Sequence, residues 1–184
     1  RSTPKPSSAA SDVYKRQGDY YRLEKATINP KPVQNPMPLW VGGSAEAAIE
    51  RTARWGTGWQ AGIETAAEIQ PVILRIKERC AELGRKIDKD HFGAGFAVRF
   101  GSHNEPIVSK YNEIMRERLG KDPKEYSAIG DADTMLELLK EFHEAGAHKF
   151  ILRPIADGHA DMIHQTKLLI EKLMPRIAKL NNED

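Results

Sequence analysis

The sequence predicts an α/β fold in which parallel strands alternate with helices. Short apolar runs bounded by glycine or proline, at residues 39–41, 56–61, 92–100 and 149–155, are typical of buried strands. The segments between them place apolar residues at helical spacing. Strands that alternate with long helices pair in parallel through right-handed crossovers. This order fits half of a (β/α)8 barrel and an open doubly wound sheet equally well.

The first predicted strand and helix meet at a glycine turn. Residues 29–38 carry four prolines, which exclude a helix or a central strand and indicate an extended connector. The connector leads into an apolar run, which Gly42 and Gly43 end. Ser44 is predicted to cap a helix whose apolar residues share one face: Ala45, Ala48, Ile49, Thr52 and Ala53.

The next two units have equally clear signals. Thr65 and Glu68 are spaced as a capping box, which predicts the start of a helix that ends before Gly84. In residues 92–100, large apolar residues alternate with small ones, as in a strand. The glycines on one side of that strand, Gly93 and Gly95, predict that something large packs closely against it.

The last third of the chain predicts a surface excursion and one further βα unit. Residues 106–126 are helical in pattern but polar, which indicates a helix on the surface. Asp131 is predicted to open another helix, residues 149–155 form the fourth strand, and a last helix over 160–173 is stopped by Pro175.

Composition narrows the function classes. The net charge of +2 gives no electrostatic case for nucleic acid, and no apolar stretch approaches the roughly 20 residues of a membrane span. The single cysteine, Cys80, excludes an intramolecular disulfide and predicts a reducing, cytoplasmic setting. The six histidines are scattered without metal-ligand spacing, so we expect no metal site.

Two segments differ in character. Residues 1–17 are rich in Ser, Pro and Ala without a hydrophobic period, and we expect them to be non-native or disordered. Residues 18–184 form one predicted domain. If that division is right, the natural protein continues upstream of Gly18.

Several strings resemble the luciferase-like monooxygenase family. They are GDYYRLEKATINPKPVQNPMPLWVGGS and AAIERTARWGTGW near the start, and AGAHKFILRPI and MIHQTKLLIEKLMPRI near the end. Family members more often carry Asp where Thr57 stands. The resemblance implies the C-terminal half, strands five to eight, of a (β/α)8 TIM barrel. It also implies a flavin, either FMN or coenzyme F-420, bound at the carboxyl ends of the strands.

The function implied is that of a flavin-dependent oxidoreductase or monooxygenase. Such an enzyme performs hydride transfer or oxygen activation on a small organic substrate, and the flavin supplies the difficult chemistry. The resemblance also implies a homodimer for the full-length protein and catalytic residues in the N-terminal half. We expect neither a nucleic acid nor a membrane as partner.

The expected cofactor-binding residues follow the predicted strands. A helix N-terminus after a glycine turn favours a phosphate, and the family places the cofactor phosphate at the turn that corresponds to Gly42, Gly43 and Ser44. Gln60, Ala61 and Gly62 end the next strand and should enclose the phosphate or the ribityl chain. Arg153 ends the last strand, where a guanidinium binds phosphate or an acidic substrate group.

Two side chains near the predicted third strand are further candidates. His103 follows that strand and is the one weak catalytic candidate in this chain, as a general base. Arg99 points either toward the flavin site or to a buried acidic partner.

Two alternatives compete with the oxidoreductase. One is a non-catalytic flavin- or phosphate-binding barrel module. The other is a Rossmann-type domain, in which Glu64 would contact a ribose, but the turn after Gly43 lacks the spaced glycines that a pyrophosphate requires.

Overall fold

The computed structural model describes residues 14–27 and 29–180, and its main unit is a five-stranded parallel sheet. The strands are β3 (Trp40–Gly42), β4 (Gly58–Gln60), β5 (Phe92–Phe100), β6 (Ser127–Gly130) and β7 (Lys149–Pro154). They are preceded by a separate antiparallel hairpin of β1 (Tyr14–Gln17) and β2 (Arg22–Ala26). The predicted α/β class with parallel strands is therefore confirmed.

Strand β5 organises the sheet. Its first residues pair with β4, its last residues with β6, and residues 93–98 with β7. Ala97 pairs with both Ser127 and Arg153, so β6 and β7 flank β5 on opposite edges. Strand β3 completes the sheet beyond β4.

The helices follow the strands in the predicted alternation. They are α1 (Glu46–Trp55), α2 (Ala66–Glu82), α3 (Pro106–Leu119), α4 (Ala132–Glu144), α5 (Gly158–Leu168) and α6 (Met174–Leu180). Short 3-10 helices precede β5 and β6, at Lys89–His91 and Pro123–Glu125. Thr65 and Glu68 form the predicted capping box of α2. None of the helices in the described part of the chain is long and apolar enough to cross a bilayer.

The main core lies on one face of the sheet. Phe92, Phe96 and Val98 of β5 are buried there against side chains of α1, α2 and α4. The ring of Phe96 stacks on Phe142 of α4 with centroids 5.5 Å apart. We call the opposite face, which carries Gly93, Gly95, Ala97 and Arg99 of β5, the inner face, because strand side chains alternate between faces.

The glycines of β5 make room on the inner face for large side chains. A Cβ on Gly93 would clash with Oε1 of Gln60 and would lie 3.3 Å from the ring of Trp40. A Cβ on Gly95 would lie 2.9 Å from the carbonyl oxygen of Ile151. The predicted close packing against these glycines is confirmed. The atoms that pack there belong to side chains and backbone of this chain itself.

The predicted surface helix over 106–126 is confirmed over 106–119, where most side chains are not buried, and differs in two details. Helix α3 ends at Leu119, where Gly120 adopts φ +66°, and a strand that the sequence did not predict, β6, follows. Helix α3 also packs on the sheet, because Val108 is buried with Ala97, Ile129 and Ile155. Only two residues of α3 are buried, Val108 and Met115, and so its apolar periodicity is weak.

One predicted boundary also moves. Residues 1–13 lie outside the described residues, Tyr14–Gln17 pair with β2, and the division of the chain at residue 18 stays a prediction. The last helix does not stop at Pro175. A π-helical turn, Leu169–Leu173, joins α5 to α6, so the helix continues past Pro175, the second residue of α6.

Candidate functional site

The carboxyl ends of the parallel strands lie at one edge of the sheet. Residues 42–44 and 60–62 follow β3 and β4, which end in register with each other, and residues 154–156 follow β7, whose last residue pairs with Val98 of β5. In parallel α/β folds this edge is where ligands bind, because loops and helix N-termini converge there. The sequence-predicted residues at this edge divide into a turn, a wall and a groove.

The turn after β3 is tied to β4. Gly43 adopts φ +99°, a conformation that favours glycine, and its carbonyl oxygen accepts a hydrogen bond of 2.9 Å from Nε1 of the buried Trp59. The predicted Ser44 cap is wrong, since Ala45 is the N-cap of α1 and makes no side-chain cap bond. The hydroxyl of Ser44 instead donates to Oε1 of Glu64 at 2.5 Å.

Glu64 joins the turns that follow β3 and β4. Its Oε1 accepts the hydroxyl of Ser44, and its Oε2 accepts the backbone N–H of Gly62 at 2.6 Å. Two donors from different turns therefore already hold one anionic group. A phosphate needs donors of the same kind, so these residues fit a phosphate-bearing cofactor once Glu64 moves aside.

Sequence reasoning considered Glu64 only as a ribose ligand in the Rossmann alternative, and missed this role. Its separation of 20 residues from Ser44 carries no local signal.

Gln60 and Ala61 form a wall beside these turns. The backbone N–H of Ala61 donates to the carbonyl oxygen of Gly93 at 2.9 Å. The side chain of Gln60 lies over Gly93 and donates to the carbonyl oxygen of Ala61 at 3.2 Å. The structure thus brings five of the predicted residues together with Glu64: Gly43, Ser44, Gln60, Ala61 and Gly62. Gly42 ends β3 in register with Gln60.

Arg153 lies in an apolar groove between the inner face and α3. The groove has a volume of about 440 Å³, and one guanidinium nitrogen of Arg153 donates to the carbonyl oxygen of Gly95 at 3.2 Å. Burial raises the pKa of the Tyr111 hydroxyl, and the charge of Arg153 partly offsets that shift. The other lining residues are mostly apolar: Ile63, Ala97, Ile107, Lys110, Ile114, Met115, Pro154, Ile155 and Ala156.

His103 does not join this groove. It is exposed on the loop after β5 and lines a second cavity, together with polar residues of α3 and of the segment before β6. The two cavities share no lining residue. The structure therefore offers His103 no contact with the groove that Arg153 lines.

Two surroundings were predicted for Arg99, the flavin site or a buried acidic partner. The structure shows acidic partners for Arg99. Its side chain is 9% exposed and bonds to Glu105 at 2.6 Å and to Asp161 at 2.8 Å, and also to the carbonyl oxygen of Ile155 at 2.7 Å. The bonds to the carboxylates raise the pKa of Arg99, and the bond to Arg99 lowers the pKa of Glu105. The pKa of Asp161 is lowered by the backbone N–H of Asp157 and by Arg99. The cluster links β5 to the residue that precedes α3 and to the start of α5.

Potential metal ligands gather elsewhere. Within the described residues, Asp88, Asp90 and His91 are the one group close enough to share an ion. They precede β5, at the edge of the sheet away from the groove. The predicted absence of a metal site stays a prediction.

The family follows from a comparison with known sequences. The profile described as luciferase-like monooxygenase matches residues 9–148. The chain belongs to the luciferase-like monooxygenase family. This luciferase-like chain is similar to an F420-dependent glucose-6-phosphate dehydrogenase of Nakamurella multipartita, with 24% identity over 150 residues. The match covers 80% of this chain and 43% of that protein. The family predicted from the sequence is confirmed.

Solved structures share the fold at low identity. The luciferase-like chain matches an F420-dependent secondary alcohol dehydrogenase with a TM-score of 0.67 and 18% identity, over 90% of this chain and 56% of that one. It matches a monooxygenase from Streptomyces bottropensis with a TM-score of 0.69 and 15% identity, over 92% of this chain and 57% of that one. The chain thus spans about half the length of these relatives. Relatives use coenzyme F420 or FMN, the two cofactors predicted.

We expect the loss of the Arg99 side chain to lower the free energy of unfolding strongly. Replacing Arg99 with Met leaves Glu105 and Asp161 without their cation, and we expect urea unfolding at pH 7 to show a loss of about 2 to 4 kcal/mol. The folded-state pKa values of both carboxyls are lowered, so their contribution is present above pH about 4 and is lost as the pH falls below it. The difference between wild type and Arg99→Met should therefore shrink in acid.

The exposed Arg118, in the last turn of α3, provides a control. Arg118→Met should change the free energy of unfolding by less than about 0.5 kcal/mol. A loss for Arg99→Met no larger than that of the control would contradict the structural role of the cluster.

Proposed function

We propose that this chain is the C-terminal half of a (β/α)8 barrel in a flavin-dependent oxidoreductase that uses coenzyme F420 or FMN. The observation that carries the proposal is the pair of turns after β3 and β4, whose donors converge on one anionic group at the carboxyl edge of the sheet. Family membership and the cofactors of its relatives support it.

In this proposal the turn residues bind the cofactor phosphate. Gly42 and Gly43 let the backbone approach the phosphate closely, and Ser44 with the first turn of α1 supplies donors. Gln60, Ala61 and Gly62 form the wall beside the phosphate and the ribityl chain. The bound cofactor supplies hydride transfer or oxygen activation.

The groove under α3 receives the substrate in this proposal. Its apolar lining excludes water, which strengthens the electrostatic interactions that remain inside. Arg153 orients an acidic or polar group of the substrate, and the half-buried Tyr111 hydroxyl lies close enough to feel its charge. The substrate is therefore a small organic molecule with an apolar part. The full-length protein is proposed to act as a homodimer.

A cofactor titration tests the phosphate turn. In the full-length protein, replacing Gly43 with Val strains a residue at φ +99° and adds a Cβ that would lie 3.4 Å from the Cβ of Ala48. We expect Gly43→Val to weaken binding of FMN or F420 at least about tenfold, the loss of one or two charge-assisted hydrogen bonds. Quenching of flavin fluorescence measures it.

Gly84 supplies the matched control. It follows α2 at φ +65°, with nothing near its Cβ position, and lies apart from both turns. Gly84→Val therefore carries the same kind of backbone strain and should leave cofactor affinity within about twofold of wild type. Equal weakening in both variants, or no saturable binding of either cofactor to the wild-type protein, would sink the proposal.

A substitution at Glu64 is expected to raise cofactor affinity, whereas Gly43→Val is expected to lower it. The carboxylate of Glu64 occupies donors that the phosphate needs and repels the phosphate charge. Replacing Glu64 with Gln keeps the size and removes the charge, so cofactor affinity should rise about three- to tenfold. The exposed Glu78 of α2 is the control, and Glu78→Gln should have no effect.

Weaker binding by Glu64→Gln would contradict this view of the carboxylate as a competitor. It would instead mean that Glu64 accepts hydrogen bonds from the cofactor itself. The same fluorescence titration distinguishes the two results.

A further inference from the structure

The groove between the inner face and α3 is lined by cationic side chains and by no anionic one. Arg153 and Lys110 line it, and the remaining lining residues include no carboxylate. Glu64, Glu113 and Asp157 are direct chain neighbours of lining residues, but none of them lines the groove. Glu64 is bonded within the turns after β3 and β4, and the other two are exposed. Within the described residues, neither Arg153 nor Lys110 forms a salt bridge. The groove therefore favours an anion.

The guanidinium of Arg153 is fixed against the sheet. Arg153 lies next to the end of β7, and one of its terminal nitrogens donates to the carbonyl oxygen of Gly95 at 3.2 Å. Its other N–H groups have no acceptor in the part of the chain that the structure describes. A guanidinium presents its donors as a planar fork that matches the two oxygens of a carboxylate. Arg153 can therefore bind a carboxylate while it keeps its bond to β5.

Tyr111 of α3 supplies a second donor. Its side chain is half-buried and lines the groove, and its hydroxyl bonds to no described residue. The hydroxyl is not among the fully enclosed atoms without a partner, which are Oδ1 of Asn112 and the hydroxyl of Tyr126, so it keeps accessible surface. Burial raises the pKa of Tyr111, and the charge of Arg153 acts on the same hydroxyl. The hydroxyl is therefore protonated at neutral pH and lies near the guanidinium.

The apolar lining selects against a strongly hydrated ligand. Ile114 of α3 lines the groove and is 52% exposed, while Ala97 and Ile155 form the opposite, buried side. A dianion such as phosphate loses more hydration in such surroundings than a carboxylate does. An alkyl chain, in contrast, is stabilised by each methylene group that it buries. The volume of about 440 Å³ lies within the range of small-molecule sites.

From these observations we propose that the groove binds a small carboxylate with an aliphatic chain. The carboxylate accepts hydrogen bonds from Arg153 and Tyr111, and the chain lies along the apolar residues of α3. The exposed Lys110 adds long-range attraction. This inference rests on the proposed function, because it makes aliphatic carboxylates the substrate class of the oxidoreductase.

Isothermal titration of the full-length protein with hexanoate, acetate and 1-hexanol tests the proposal. Acetate has the charge without the chain, and 1-hexanol has the chain without the charge. We expect saturable binding of hexanoate, at least about tenfold tighter than that of either partial ligand. Hexyl phosphate should bind more weakly than hexanoate, because of its second charge. Tighter binding of hexyl phosphate, equal binding of 1-hexanol, or no saturable binding of hexanoate at millimolar concentration would overturn the proposal.

The charge is tested by substitution of Arg153. Arg153→Gln should weaken hexanoate binding about tenfold, the usual effect of losing a charge-assisted contact, and leave 1-hexanol within about twofold. Arg118→Gln removes the same charge from the last turn of α3, outside the groove, and should have no effect on either ligand. Equal weakening by the two variants would reduce the contact to diffuse surface charge and count against the site. Circular dichroism checks that each variant is folded.

The hydroxyl of Tyr111 is tested in the same way. Tyr111→Phe keeps the ring and removes the donor, so hexanoate should bind about fivefold more weakly while 1-hexanol binding is unchanged. The exposed Tyr21, in the loop of the hairpin, provides the matched control, and Tyr21→Phe should behave as wild type. Unchanged hexanoate binding in Tyr111→Phe would remove Tyr111 from the site.

Fluorescence titration of the same protein with FMN and F420 separates this inference from the proposed function. Saturable cofactor binding without hexanoate binding would overturn the carboxylate class and leave the oxidoreductase standing. Hexanoate binding that depends on Arg153, in a protein that takes up neither cofactor, would overturn the proposed function. The groove would then remain a carboxylate site without a reaction.

Discussion

The alternation of side chains along β5 is the constraint on which the remaining structure depends. Its large residues, Phe92, Phe96 and Val98, fill the main core against the helices, and this burial supplies much of the hydrophobic stabilisation. Its small residues leave the inner face open, so that Trp40 and Gln60 can lie directly on the sheet. Because β5 pairs with β4, β6 and β7, a side chain at Gly93 or Gly95 would disturb the inner face and the alignment of three neighbouring strands.

The candidate site follows from this arrangement through two charged side chains. Glu64 draws together the turns after β3 and β4, and Arg99 draws together β5, the start of α3 and the start of α5. The first contact marks the place where we propose that the cofactor phosphate binds. The second holds α3 over the inner face, which creates the groove that Arg153 and Tyr111 line. Hydrogen bonds and ion pairs between distant segments thus shape a candidate site whose groove is lined mostly by apolar side chains.

Features with a local signal were predictable from the sequence, and those made by distant contacts were not. The alternating residues 92–100 and the capping box at Thr65 appear as predicted, because each depends on neighbours within a few positions. Strand β6 has only four residues, and the face of α3 that packs on the sheet shows only two buried side chains. The pairing of Ser44 with Glu64 joins residues 20 positions apart, so nothing in the sequence announced that Ala45 would be the cap. The predicted binding residues at Gly42–Ser44 and Gln60–Gly62 do lie at one edge, because parallel strands bring their carboxyl ends together.

We propose that the turn after β3 holds the cofactor phosphate at the donors that Glu64 now occupies. A crystal structure of the full-length protein with FMN or F420 would show whether it does. We expect the phosphate oxygens to lie within hydrogen-bond distance of the Ser44 hydroxyl and the backbone at Gly43, with the Glu64 carboxylate moved away from Ser44. A phosphate bound elsewhere, with the contact between Ser44 and Glu64 intact at about 2.5 Å, would contradict the account.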